Sequence, residues 1–79
     1  MIITAAQCRA ARALLDWSRD ELAAASKVAK RTVVDFERGA RDPRDATMAV
    51  MRQAFEAAGV IFIEENGEGP GVRLRKVQK

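Results

Sequence analysis

Histidine and tyrosine are absent from this chain of 79 residues, which has a single cysteine, Cys8, and few aromatic side chains. Histidine is the usual proton-transfer group near neutral pH and a frequent metal ligand. The sequence also has no glycine-rich phosphate loop and no pair of carboxylates placed as catalytic acid and base. We therefore expect that the chain is not an enzyme, and we expect no metal site and no cofactor.

Long apolar runs are also missing. The longest, Val60–Ile63, is far shorter than the ~20 residues that a membrane-spanning helix needs. Arg9 and Arg12 interrupt the N-terminal stretch before the apolar core of a signal peptide can form. A lone cysteine cannot form an internal disulfide, and Cys8 is expected to be a small core residue. These features predict a cytoplasmic protein without membrane association.

The charge is weakly basic and unevenly distributed. Fourteen Lys and Arg residues stand against 11 Asp and Glu, for a formal net charge of +3. This balance suits a polyanionic partner without requiring one. The excess of positive charge lies in the middle of the chain, at Lys27, Lys30, Arg31, Arg38, Arg41 and Arg44.

Two capping boxes predict where the first two helices begin. In such a box, two side chains three residues apart satisfy the first backbone N–H groups of a helix. The pairs with this spacing are Thr4 with Gln7 and Ser18 with Glu21. The first helix should cover about residues 5–15, and the second should end near Ala25. Trp17 is expected to pack beside the second box as a hydrophobic staple, and not to stack on bases.

A third, short and basic helix should follow an interruption at residues 26–28 and end at Gly39. Asp45 is expected to cap a fourth helix, which Gly59 ends. The apolar spacing predicts that the inner face of this fourth helix consists of Met48, Met51, Phe55 and Ala58.

The C-terminal region changes character. Val60–Ile63 is β-branched and aromatic, residues 64–71 resemble a loop, and residues 72–75 alternate apolar with basic side chains. This pattern predicts a β-hairpin whose first strand is covered on both faces and whose second is half exposed. We expect a mainly α fold of about four helices with a C-terminal β-hairpin. It should be one domain over residues 1–79, with a helical core at 4–59 and the hairpin at 60–79.

The second and third helices, joined by a tight turn, have the layout that places a helix in the DNA major groove. Val33 and Phe36 should hold the third helix against the core. The opposite face would then carry Lys30, Arg31, Val34 and Asp35.

The segment SRDELAAASKVAKRTVVDFERGARDPR resembles the helix-turn-helix of the Xre-like, Cro/CI-type (lambda-repressor-like) regulators, over roughly residues 8–58. The resemblance implies a transcriptional regulator that binds double-stranded DNA sequence-specifically, with the recognition helix at about Ala29–Arg38. The residues that would contact bases or phosphates are Arg19, Ala29, Lys30, Arg31, Val34 and Asp35, followed by Arg38, Arg41 and Arg44 as phosphate contacts. Asp35 can also position Arg31 or Arg38, which is the role we favour.

Three positions depart from the family pattern. Arg19 stands where the family usually has Gln, which favours a stronger phosphate contact. Lys27 replaces the Gly of the turn, where a left-handed backbone is normally needed. Ala29 replaces a capping Ser, so the third helix should lose about 0.5–2 kcal/mol of stabilisation.

An apolar strand on so small a protein would expose a hydrophobic patch unless a second copy covered it. We therefore predict a homodimer on a two-fold symmetric operator. The residues expected at the dimer interface are Val60, Ile61, Phe62, Ile63, Val72 and Leu74. The alternative is an antitoxin or adaptor whose fold mainly serves protein–protein interaction, with an unknown protein partner. The basic third helix favours DNA, and RNA binding is less favoured because exposed aromatic residues are lacking.

Overall fold

The computed structural model describes residues 3–76, which form four helices followed by two strands. The elements are α1 (Ala5–Leu15), α2 (Arg19–Ser26), α3 (Lys30–Glu37), α4 (Asp45–Ala57), β1 (Val60–Ile63) and β2 (Gly71–Leu74). The predicted fold class, mainly helical with a C-terminal β-hairpin, is confirmed. The last part of the hairpin region, at residues 77–79, lies outside the described residues, as do residues 1 and 2.

Both predicted capping boxes are present. Thr4 N donates to Gln7 Oε1 at 2.9 Å, and Gln7 N donates to Thr4 Oγ1 at 3.0 Å. The Ser18–Glu21 pair makes the same two bonds at 2.9 and 3.0 Å. Because each box uses groups three residues apart, it works before any tertiary contact forms. Helix α2 runs one residue beyond the end we expected, to Ser26.

Two expectations for α4 are wrong. Its N-cap is Arg44, and Asp45 is the first helical residue, without a side-chain cap bond. Asp45 still places a carboxylate in the first turn, where the helix dipole favours negative charge. Ala58 is exposed, because the helix ends at Ala57 and the chain turns at Gly59, where φ is +105°.

The two strands pair antiparallel, with Val60 opposite Leu74 and Phe62 opposite Val72. Paired residues share one face of the sheet, so these four side chains form the inner face. Val60 and Phe62 are buried, and α1 and α4 cover this face. The first strand is thus only half covered on its other face, where Ile61 and Ile63 are half-buried.

Every helix contributes to one apolar core, and β1 completes it. The Trp17 ring stacks on Phe55 with centroids 5.7 Å apart, so the predicted packing role of Trp17 is confirmed. The buried apolar residues are Ile3, Cys8, Ala11, Leu22, Val33, Phe36, Met48, Met51, Phe55, Val60 and Phe62. Within residues 3–76, no helix has both the length and the apolar character that crossing a bilayer requires.

Gln7 ties the hairpin to the start of α1. Its Nε2 donates to Ile63 O at 3.2 Å and to Gly71 O at 3.0 Å, while Oε1 accepts from Thr4 N. Ile63 and Gly71 are opposite each other in the strand register. One buried amide therefore joins α1 to both strands at the loop end of the hairpin.

Candidate nucleic-acid interface

Helices α2 and α3 are held together by their apolar sides. Leu22 and Val33 have no exposed surface, and Val28 in the turn between them packs against the core. Lys27 adopts φ +60°, so the left-handed backbone predicted for this position is confirmed. Ala29 is the N-cap of α3 and makes no side-chain cap bond, also as expected. The turn thus has the left-handed residue that the resemblance implies, without the Gly and Ser expected there.

Helix α3 presents a charged outer face. The Arg31 side chain is 84% exposed, and its Nε lies 3.4 Å from Asp35 Oδ2. Arg38 Nη1 lies 3.9 Å from the other Asp35 oxygen, so this carboxylate stands between two arginines. Lys30 Nζ contacts Asp20 Oδ1 of α2 at 3.0 Å. The spacing expected for Asp35 as a positioning residue is therefore present.

The chain leaves α3 in a defined direction. Gly39 has φ +73°, its N–H donates to Phe36 O, and Ala40 N donates to Asp35 O. These are the two bonds of a Schellman motif, which ends a helix and turns the chain sharply. The following loop carries Arg41 and Arg44, both exposed.

The predicted DNA-contacting residues lie on neighbouring elements. Arg31 and Asp35 of α3 border a small depression together with Arg41 of the loop. Arg19 and Lys30 border a second, more open one between α2 and α3. Val34 is half-buried and Ala29 is exposed, so neither side chain is withdrawn into the core. The structure therefore places Arg31 near Arg41 and Arg19 near Lys30, whereas Arg44 borders neither of these two depressions.

A buried carboxylate lies behind this surface. The side chain of Glu37 is 2% exposed, and Arg12 donates to both of its oxygens, Nε to Oε2 at 2.7 Å and Nη2 to Oε1 at 2.8 Å. Cys8 Sγ donates to Oε2 at 3.0 Å, and Arg19 Nε lies 3.5 Å from Oε1. Arg9 donates to the backbone carbonyl of Glu37. These residues, here the Glu37 cluster, join α1, α2 and α3.

The environment of the cluster shifts its ionisation. Burial by itself raises the pKa of Glu37, but the hydrogen bonds from Arg12 and Cys8, with the nearby arginine charges, outweigh it and hold this pKa below its ordinary value. Burial, reinforced by the hydrogen bond to Glu37, raises the pKa of the Cys8 thiol well above its ordinary value. A thiol held protonated and fully buried is a poor nucleophile. Cys8 is therefore the core residue we expected.

Comparison with known families agrees with this geometry. A family model described as helix-turn-helix matches residues 9–57, more than half of the chain. The chain belongs to the Xre-like, Cro/CI-type helix-turn-helix family. No curated protein sequence matched it at a significant level.

Membership of the Cro/CI-type family gives the general function. Its helix-turn-helix is a DNA-binding unit of regulators and not an enzymatic domain, so this chain is a DNA-binding helix-turn-helix regulator in that general sense. The family match and the four helices of residues 3–76 also confirm the lambda-repressor-like fold. In the same described part, no group of His, Cys, Asp and Glu is placed to hold a metal ion.

The residues predicted for dimerisation fall into two groups. Val60 and Phe62 are buried in the core of this Cro/CI-type domain, and Val72 packs against that core. They leave little surface for a partner, because the hairpin already uses this face to cover α1 and α4. Three members of the predicted set lie where a partner can reach them: Ile61, Ile63 and Leu74.

Sequence reasoning missed the structural roles of Glu37, Arg12 and Gln7. One signal for Glu37 was available, since it lies four residues after Val33 and therefore on the buried face of α3. A carboxylate on such a face needs a cation, and Arg12 on α1 supplies it. For Gln7, the capping-box spacing predicted one partner but carried no information about the hairpin carbonyls.

Proposed function

We propose that this protein is a cytoplasmic transcriptional regulator that binds double-stranded DNA sequence-specifically, with α3 in the major groove. One observation supports the proposal most directly. Helix α3 buries Val33, Phe36 and Glu37 while it leaves Lys30 and Arg31 exposed on the other side. A short helix fixed in this way can enter the groove without disturbing the core.

Two kinds of contact are proposed. Lys30 and Arg31 at the start of α3 read base edges, since Arg and Lys pair well with the O6 and N7 acceptors of guanine. Asp35 holds Arg31 in place, and Val34 and Ala29 offer apolar contacts to thymine methyl groups. The remaining basic residues bind phosphate without regard to sequence: Arg19, Arg38, Arg41 and Arg44.

We further propose a homodimer on a two-fold symmetric operator, formed through the outer face of the hairpin. Ile61 and Ile63 are neighbours on that face and form a half-buried apolar patch, while Leu74, 44% exposed, ends the second strand on the opposite face. Such a patch is typical of a surface covered by a symmetry mate. The two recognition helices would then meet half-sites about one helical turn, roughly 34–36 Å, apart.

Selection of binding sites from random duplex DNA by the purified protein tests both proposals. We expect enrichment of a two-fold symmetric sequence, because two copies of α3 would read two half-sites. Enrichment of a single unrepeated half-site would overturn the dimer proposal alone. Failure to enrich any sequence would overturn sequence-specific binding and favour an antitoxin or adaptor role.

Replacement of single arginines separates base reading from phosphate binding. Arg31→Ala should weaken binding to the selected site by roughly 1–3 kcal/mol and relax the preference at the base it reads. Arg41→Ala, the matched control on the adjacent loop, should weaken all sequences about equally and lower the salt dependence of affinity. Titrations of both variants against selected and scrambled duplexes measure the contrast. An equal loss on both duplexes for Arg31→Ala would contradict its assignment.

Charge placed on the hairpin tests the dimer surface. The double variant Ile61→Glu/Ile63→Glu should be monomeric in sedimentation and bind the operator more weakly, because carboxylates cannot be buried without partners. Leu14→Glu is the control, since Leu14 is an exposed apolar residue of α1 outside the hairpin. A double variant that still sediments as a dimer would exclude this surface.

A further inference from the structure

Arg19 links the proposed DNA surface to the interior. Its Nε lies 3.5 Å from Glu37 Oε1, while 46% of its side chain is exposed. We propose that Glu37 is a positioning residue for DNA binding: its buried carboxylate holds Arg19 through Nε and leaves the terminal nitrogens of Arg19 for a DNA phosphate. This inference rests on the proposed function, in which Arg19 is a phosphate contact.

The carboxylate of Glu37 has room for Arg19. Its two oxygens offer about four acceptor positions in total. Arg12 takes one position on each oxygen, and the Cys8 thiol takes a second on Oε2. The remaining position is on Oε1, the oxygen that faces Arg19 Nε. The thiol and Arg12 thus direct Arg19 to one side of the carboxylate.

The contact through Nε also suits a second ligand. A guanidinium is a rigid planar fork with five N–H donors, one on Nε and four on the terminal nitrogens. Among the contacts within residues 3–76, Arg19 faces Glu37 through Nε, and its terminal nitrogens donate no hydrogen bond to that carboxylate. A phosphate can therefore bind these nitrogens while the contact with Glu37 persists.

Charge in the cluster favours a phosphate. Glu37 carries one negative charge, whereas Arg9, Arg12 and Arg19 carry three positive charges around it. Arg12 already compensates the carboxylate, so Arg19 is oriented by Glu37 without being neutralised. Because the carboxylate is buried, salt in solution screens the contact less than it screens surface pairs.

The expected gain in DNA affinity comes from holding the Arg19 side chain in place before the phosphate binds. An arginine fixed before binding loses less side-chain freedom when it meets the phosphate, a difference of the size that changes affinity about threefold to tenfold. Loss of the negative charge of Glu37 would also strengthen attraction to DNA, but it would do so whatever residue occupies position 19. The diagnostic quantity is therefore the coupling between positions 37 and 19.

A double-mutant cycle measures this coupling. The variants are Glu37→Gln, Arg19→Ala and the two combined, titrated against one random-sequence duplex at low salt, at a temperature where circular dichroism shows each to be folded. We expect the effect of Glu37→Gln on affinity to be about fivefold more unfavourable with Arg19 present than with Ala at that position. Arg41→Ala provides the matched cycle, and Glu37→Gln should act in that background as it does in the unaltered protein.

The outcomes separate the inference from the proposed function. If the unaltered protein does not bind duplex DNA, the proposed function fails and the inference fails with it. If Arg19→Ala weakens binding but positions 37 and 19 are additive, only the inference is overturned. A purely structural role for Glu37 would change binding equally in the Arg19→Ala and Arg41→Ala backgrounds.

A second variant avoids any loss of folding on substitution of Glu37. Arg19→Lys leaves Glu37 and Arg12 intact and keeps the positive charge, but a single ammonium group cannot contact both the buried carboxylate and a phosphate as a fork does. We expect affinity to fall at least threefold with an unchanged salt slope. Affinity equal to that of the unaltered protein would show that charge alone matters at position 19 and would overturn the inference.

Discussion

Glu37 and Gln7 are both buried polar side chains that join three segments, yet they do so with different chemistry. Glu37 is charged and joins α1, α2 and α3 beneath the proposed DNA surface. Gln7 is neutral and joins the start of α1 to β1 and β2 on the hairpin side. A buried charge depends on its counter-charge, whereas a neutral amide loses only hydrogen bonds when a partner is removed. The contacts of Glu37 and those of Gln7 should therefore differ in how much they stabilise the protein and in how that stabilisation depends on pH.

Removal of Arg12 should have the largest effect on stability. Arg12→Ala leaves the Glu37 carboxylate buried without its bidentate partner, which typically costs about 3–5 kcal/mol. That is a large part of the roughly 5–15 kcal/mol by which domains are stable. Urea denaturation measures the loss, with Arg41→Ala as an exposed control that should change stability by less than about 0.5 kcal/mol. A loss under about 1 kcal/mol for Arg12→Ala would show that Glu37 does not depend on this partner.

Acid should weaken the contacts of Glu37 and leave those of Gln7 unchanged. The pKa of Glu37 is lower in the folded protein than in the unfolded chain, so its stabilisation is fully present above about pH 4.3, the ordinary glutamate value. The stabilisation is lost as pH falls from there through the folded pKa. Unfolding measured between neutral and acid pH should show a shallower acid decline for Glu37→Gln than for the unaltered protein. Gln7→Ala should keep the full decline, and equal slopes for all three proteins would contradict the comparison.

Loss of the Gln7 contacts should lower the free energy of unfolding less than loss of Arg12. Gln7→Ala removes half of a capping box and two bonds to the hairpin, and we expect about 1–3 kcal/mol. The other capping box provides the control, because Glu21 occupies the same position as Gln7 but is exposed and, within residues 3–76, makes no hydrogen bond to the hairpin. Glu21→Ala should therefore cost clearly less in the same denaturation experiment. Equal losses would mean that the bonds to Ile63 and Gly71 add nothing.

The contrast also explains what could be predicted from the sequence. The capping boxes and the bounds of α1 were predictable because their bonds join residues three positions apart. The contact of Glu37 with Arg12 and that of Gln7 with the hairpin were not predictable, since Arg12 and Glu37 are 25 residues apart and Gln7 and Gly71 are 64 apart. Partners at such separations are chosen by the packing of whole elements, which local spacing does not encode.

The exposed face of α3 was predictable to a similar degree, while the role of its residues in DNA binding stays a prediction. The basic residues of α3 and its loop could be assigned because helix spacing separates Val33 and Phe36 from the exposed face. The dimer set included Val60 and Phe62 because an apolar strand alone does not reveal which face meets its own core. The cap of α4 was misplaced by one residue, since the helix begins at Asp45 without any side-chain bond that spacing could have indicated.

The burial of Cys8 has a practical consequence. Its thiol has no accessible surface and donates to Glu37, so reagents such as aromatic disulfides can reach it only when the domain opens. When opening and closing are fast compared with labelling, the rate of modification reports the population of the open form, and hence the free energy of the opening that exposes Cys8. Cys8 can therefore serve as the site of modification that reports opening of the unaltered protein. A slower modification of Cys8 in the presence of duplex DNA would measure binding without a dye, a tag or an engineered residue.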